Sequence, residues 1–139
     1  MDSTPAVRPE ATSEPDHVTS TGLEENVAAA LAYALGWLTG IVFYFLESDN
    51  DHVRFHASQS IVIFGGYTIA TFVLSFFQSG LFMSDRGGLA FGFLSMTLAL
   101  ASLTVWVAAV ATWVYLLVRT FQGKNPRIPG AAGIADSIA

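Results

Sequence analysis

Three long stretches of the chain contain no Asp, Glu, Lys, Arg or His: residues 27–46, 57–84 and 87–118. A helix that crosses the ~30 Å hydrocarbon layer of a bilayer needs ~20 such residues. Each stretch meets that length. A core helix of a soluble protein would show a polar face at 3.6-residue spacing, and none of the three does. The pattern predicts an all-α integral membrane helical bundle with three transmembrane helices. A four-span variant would require dividing the last stretch, which is ~45 Å long as a single helix and short for two full crossings.

The polar punctuation divides the chain into three regions. Residues 1–21, rich in Pro, Ser, Thr and acid, read as a disordered acidic leader. Residues 22–118 form the transmembrane helical domain, and residues 119–139 a short basic C-terminal tail that Pro126 and Pro129 keep from continuing the last helix. Thr21 with Glu24 has the spacing of a capping box at the first helix. Ala28, Ala32, Gly36 and Gly40 recur every four residues, a smooth ridge on which another helix can pack closely, within the chain or in a homodimer. Trp37 between the glycines is expected against a neighbouring helix. In the turn "ESDND", Asp49 or Asp51 is expected to cap the second helix. Gly65 and Gly66 predict a kink or a close contact within it. The last run reads as one long tilted helix preceded by a short turn near residues 89–93, with Trp113 and Tyr115 in an interfacial aromatic belt.

Composition adds the class and some exclusions. Apolar residues make up 53% and charged residues 12%, about half the charged share of a soluble domain. Cysteine is absent, which removes disulfide and thiolate chemistry. The net charge of −5 is concentrated in the leader, whose acids precede the first apolar run. That run lacks the basic flank and small-residue cleavage site of a signal peptide and is expected to remain as an anchor. Arg54, Arg119, Lys124 and Arg127 fall on one side of a three-span arrangement. The positive-inside rule then predicts a multi-pass cell-membrane protein with its N-terminus outside and its C-terminus cytoplasmic.

The polar chemistry gathers in "DHVRFHASQS", residues 51–60. At helical spacing His52, His56, Gln59 and Ser60 share a face. Three uses fit: a metal site from His52, His56 and Asp49; an ion or proton path; or a structural cluster in which Arg54 pairs with Glu47, Asp49, a lipid phosphate or a helix-terminal carbonyl. The spans carry no deep ionisable group, and no phosphate-binding loop, nucleophile elbow, carboxylate pair or nucleic-acid-binding stripe is present. The expectation is therefore a non-enzyme with no cofactor or metal and no nucleic-acid partner. Its site residues would be the polar cluster Arg54, His56, Gln59 and Ser60, with Ala32, Gly36 and Gly40 as helix-packing positions. The partners are the lipid bilayer and, left open, a second copy or another membrane protein.

The strings "NVAAALAYALGWLTGIVFYFLE", "VRFHASQS" and "FQGKNPRIPGAAGIAD" resemble small prokaryotic membrane proteins grouped with the chloroplast inner-envelope import translocon subunit, the Tic-twenty-like group. The resemblance implies a helical membrane protein, uncharacterised in most members, and attaches no catalytic role to the matching Arg54, His56, Gln59, Ser60, Gln122 and Gly123. Two functions are carried forward from it and from the residues: an accessory or scaffold component of unassigned biochemical role, and an oligomeric channel or protein-translocation component.

Overall fold

A computed structural model describes residues 19–84 and 87–139, and these are all helix and connecting loop. Most of the acidic leader and the pair Asp85–Arg86 fall outside the described residues. The helices are α1 (Glu25–Ala34), α2 (Trp37–Leu46), α3 (Asp51–Met83), α4 (Leu89–Phe121) and α5 (Ala131–Ile138). Only α3 and α4, of 33 residues each, are long and apolar enough to cross a membrane. The third expected span is not seen as a span. The first apolar run is divided at Leu35–Gly36 into α1 and α2, ten residues and about 15 Å each, half the hydrocarbon thickness.

The two short helices double back on each other. Along α1, Ala28 and Ala29 pack with Val53, and Tyr33 meets His56. At the turn Gly36 faces Phe64, after which Gly40 meets Ala57 and Tyr44 meets Arg54. The chain thus travels about 16 Å alongside α3, turns, and returns to the level at which it started. Ser20 and Thr21, which precede α1, are bonded to Glu47, which follows α2. The α1–α2 unit is a helical hairpin wedged beside one half of the α3–α4 pair.

Backbone chemistry explains why the turn is stable. Interrupting a helix strands carbonyls that in an apolar setting must find donors. Trp113 Nε1 donates to the Tyr33 carbonyl at 2.9 Å and the Ala34 carbonyl at 3.2 Å, and the Ser60 hydroxyl donates to the Gly36 carbonyl at 2.9 Å. Thr39 accepts from Leu35 N–H and returns its own proton toward the Ala32 carbonyl. Gly36 takes φ 62° and ψ −133°, near the first central position of a type II′ turn, which demands glycine.

The small-residue ridge does pack within the chain. A Cβ on Gly40 would lie 2.9 Å from the Ala57 carbonyl oxygen, so α2 and α3 are in backbone contact there. Ala28 and Ala32 are fully buried. The main core joins Tyr33, Ile63, Phe64 and Leu116, with Trp37 and Trp113 against it. On α3 burial is all-round from residue 56 to 60 and ends after Phe64, where the α1–α2 hairpin ends. Beyond that level α3 and α4 touch mainly each other and expose Phe72, Phe76, Leu100 and Leu103.

Several local expectations are corrected. Thr21 does not cap α1; its hydroxyl donates to Glu47 at 2.7 Å, and Glu24 occupies the cap position without a side-chain bond. The cap of α3 is Asn50, whose Oδ1 accepts from Val53 N–H at 3.1 Å, and the acids on either side are one residue out of register. The α3 helix runs unbroken through Gly65 and Gly66, which have open space around them. The α4 helix is continuous from Leu89, and Trp113 points into the bundle, not into an outer belt. Part of the tail is helical.

Candidate functional site: a closed polar cluster at one end of the bundle

The second and third turns of α3 carry His56 and Gln59 on the face that meets α1 and the C-terminal tail. Both side chains are fully buried, as is Tyr33 of α1. Gln59 Nε2 donates to the Tyr33 hydroxyl at 2.8 Å and to the Pro126 carbonyl at 3.0 Å, and its Oε1 accepts from Ile128 N–H at 3.1 Å. One carboxamide thereby reads an extended backbone segment from both sides. Because the phenol accepts from Gln59, its own proton is free to go to His56 Nδ1, 2.8 Å away. The imidazole then carries its proton on Nε2 and donates to Asn125 Oδ1 at 3.3 Å. Every hydrogen-bonding group of this cluster has a partner, which is what keeps a buried polar cluster from destabilising the fold.

The four residues named from sequence do not act as one site. His56 and Gln59 join the cluster, Ser60 faces α2 and satisfies the Gly36 carbonyl, and Arg54 lies on a third side. Arg54 Nη2 donates to the Tyr44 hydroxyl at 2.9 Å, Nη1 reaches the Ser48 carbonyl at 3.3 Å, and the guanidinium sits 4.5 Å from the Tyr44 ring centre. Of the partners expected within the protein, Arg54 meets a carbonyl beyond a helix end, that of Ser48. Glu47 is instead enclosed by Ser20 and Thr21. Burial pushes its carboxyl up, but the bonds from the Thr21 hydroxyl and the Ser20 and Thr21 amides outweigh it, and its pKa is held below the usual value of 4.5.

Sequence reasoning missed Tyr33, Trp113 and Asn125. A lone tyrosine in an alanine-rich run and an Asn-Pro pair after the last span were the available signals, and neither names its partner. The tail is fastened at further points: Arg127 pairs with Asp136 and stacks 4.5 Å over Phe55, and the Tyr44 hydroxyl donates to the Ile138 carbonyl. His52 is beside His56, ring centres 4.8 Å apart. Among the described residues no group of three or more His, Asp or Glu side chains is placed to hold a metal ion, and both ring nitrogens of His56 are already engaged.

No family model and no solved structure matches the chain. Curated relatives do. A UPF0132 membrane protein of Methanocaldococcus jannaschii is 35% identical over 121 residues, covering 87% of this chain and 94% of the relative. One from Archaeoglobus fulgidus is 30% identical over 114 residues, covering 82% and 94%. A second from Methanocaldococcus jannaschii is 25% identical over 115 residues, covering 83% and 70%. None of these names refers to a plastid translocon. With near-complete mutual coverage at this identity, and two membrane-length apolar helices, the chain belongs to the UPF0132 membrane proteins.

Proposed function

We propose that the protein is a non-enzymatic scaffold or accessory component of the cell membrane, built from two spanning helices and one re-entrant helical hairpin. The observation that carries this reading is the closure of the polar cluster. Tyr33, His56 and Gln59 spend their hydrogen bonds on one another and on the tail, so their chemistry serves assembly. The exposed faces of α1 to α4 are apolar and suit lipid or another membrane protein.

Orientation follows from the hairpin. If the first apolar run turns back at mid-depth, residues 19–24 and the C-terminal tail share one membrane face. Arg54, Arg119, Lys124 and Arg127 cluster there, which makes it the cytoplasmic face and replaces the outside N-terminus that three spans would demand. The natural chain has no cysteine, so single cysteines at Ser20 and Ser137 can be labelled in right-side-out and inverted vesicles. Both should react only from the cytoplasmic side. Reaction from opposite sides would refute the re-entrant hairpin.

A channel or translocation role is the second reading. It draws on a cleft of about 460 Å³ under the hairpin tip, where Thr68, Thr71 and Ser75 line the α3 side, and on the resemblance to small prokaryotic membrane proteins of the Tic-twenty-like group. Such a path needs several copies around it, so a strict monomer in mild detergent would remove this reading.

A further inference from the structure

The end of the bundle that carries the tail also carries two arginines that have no carboxylate partner among the described residues. Arg54, in the first turn of α3, and Arg119, in the last turn of α4, are half-buried. In each the Nε lies out of solvent with no hydrogen-bond partner. Each guanidinium is near a tyrosine ring, Arg54 at 4.5 Å from Tyr44 and Arg119 at 5.9 Å from Tyr115. Among the described residues the ion pair is Arg127 with Asp136, and neither of these two cations pairs with a carboxylate of those residues. Acids are not scarce at this end: Glu47, Asp49 and Asp51 all lie within a few residues of Arg54 in sequence.

A desolvated cation with no counter-charge is costly, and the cost falls sharply if an anion pairs with it from outside. The surroundings say which anion. Tyr44 is followed by Phe45 and Leu46, and Tyr115 is flanked by Val114 and Val118, all with exposed side chains. Each guanidinium therefore stands where an apolar, lipid-facing surface meets the polar end of the bundle. That is the level of the phosphate groups of a bilayer, and the planar fork of arginine matches phosphate oxygens. We infer that Arg54 and Arg119 are two seats for the phosphodiester groups of membrane lipids, positioned by Tyr44 and Tyr115, and that they fix the depth of the bundle in its leaflet. The inference rests on reading this end as the membrane surface.

The test is thermal unfolding in dodecylmaltoside micelles titrated with dioleoyl phosphatidylglycerol, with a phosphate-free galactosyl diacylglycerol and with inorganic phosphate in parallel. Phosphatidylglycerol should raise the melting temperature saturably, and the other two should not. Arg54→Gln and Arg119→Gln should each raise the half-saturating lipid fraction by about tenfold, the worth of one charge-assisted contact. Arg54→Lys, which keeps the charge and loses the fork, should fall between, and Lys124→Gln, at an exposed position of the same end, should behave as wild type. If an arginine-to-glutamine variant fails to fold, the lysine variant and the lipid comparison on the natural chain still decide. Equal stabilisation by the galactolipid, or full stabilisation by inorganic phosphate, would overturn the lipid-phosphate seats while leaving membrane embedding intact. A chain that enters no lipid at all would overturn both.

Discussion

Replacing Gln59 with Leu should release the C-terminal tail while leaving α3 and α4 in place. Leucine fills most of the same volume but offers neither donor nor acceptor. The Pro126 carbonyl and the Ile128 amide then lose their partner, and Pro126 is buried. Tyr33 loses a donor but keeps its own bond to His56. Each buried backbone group left unpaired costs about 1–3 kcal/mol. Two of them would cost about 2–6 kcal/mol if the tail stayed docked. The tail instead has an escape: it lifts off and lets water satisfy both groups. The loss is then capped by the worth of the remaining tail contacts, the long His56–Asn125 bond, the Tyr44–Ile138 bond and the burial of Ala132 and Ala135. A net weakening of about 2–4 kcal/mol raises the open population about thirty- to thousandfold. Trypsin reads this directly, because Lys124 and Arg127 lie within the strap and cleavage follows the open fraction when reclosing is fast. In detergent, cleavage after either residue should accelerate by at least the lower bound. Gln59→Glu should behave similarly, since it keeps the acceptor for Ile128 but loses both donors. Unchanged cleavage in Gln59→Leu, with unchanged melting, would refute the view that this carboxamide fastens the tail.

Two further outcomes test the packing and the turn. Gly40→Ala should lower stability by about 1–3 kcal/mol through overpacking, since its Cβ would meet the Ala57 carbonyl oxygen at 2.9 Å. Gly66→Ala, with nothing within 4 Å, should be neutral or stabilising by up to about 1 kcal/mol in the same melts. The clamp on Glu47 predicts a pH dependence. Because its folded pKa lies below the ordinary 4.5, its contribution is complete above that value and declines as pH falls below it through the folded pKa. Glu47→Gln should flatten the acid side of the stability profile, and an unchanged profile would show that the clamp does not matter.

The helices were legible in the sequence because lipid imposes one rule on every exposed backbone: bond to yourself and face outward with apolar atoms. Long uncharged runs obey it visibly. The close contact at Gly40 was legible for a related reason, since small residues at four-residue spacing are what close helix approach requires. The fold-back at Leu35–Gly36 was not. A twenty-residue apolar run satisfies lipid whether it crosses or turns, and Gly36 in a membrane helix is ordinary. Part of what stabilises the turn lies far away in the chain, in Trp113 and Ser60, whose donors add to the local bonds of the Tyr33 and Gly36 carbonyls and, from Trp113, also reach the Ala34 carbonyl. Arg54, His56, Gln59 and Ser60 looked like one constellation because helical spacing gathers neighbours, yet a helix surrounded on several sides spends adjacent residues on different partners. Tyr33, Asn125 and the strap were invisible because each needs its complement to have meaning.

By itself, then, the sequence determined the solvent of this protein, its helical class, the absence of thiol chemistry and the concentration of polar groups near residue 56. These depend on local composition, which lipid and water sort residue by residue. Tertiary structure decided that the first run folds back beside α3, which helix ends lie together and which polar groups pair with which. Those depend on hydrogen-bond partners separated by tens of residues: the Ala34 carbonyl at the turn is met by an indole 79 positions later in the chain.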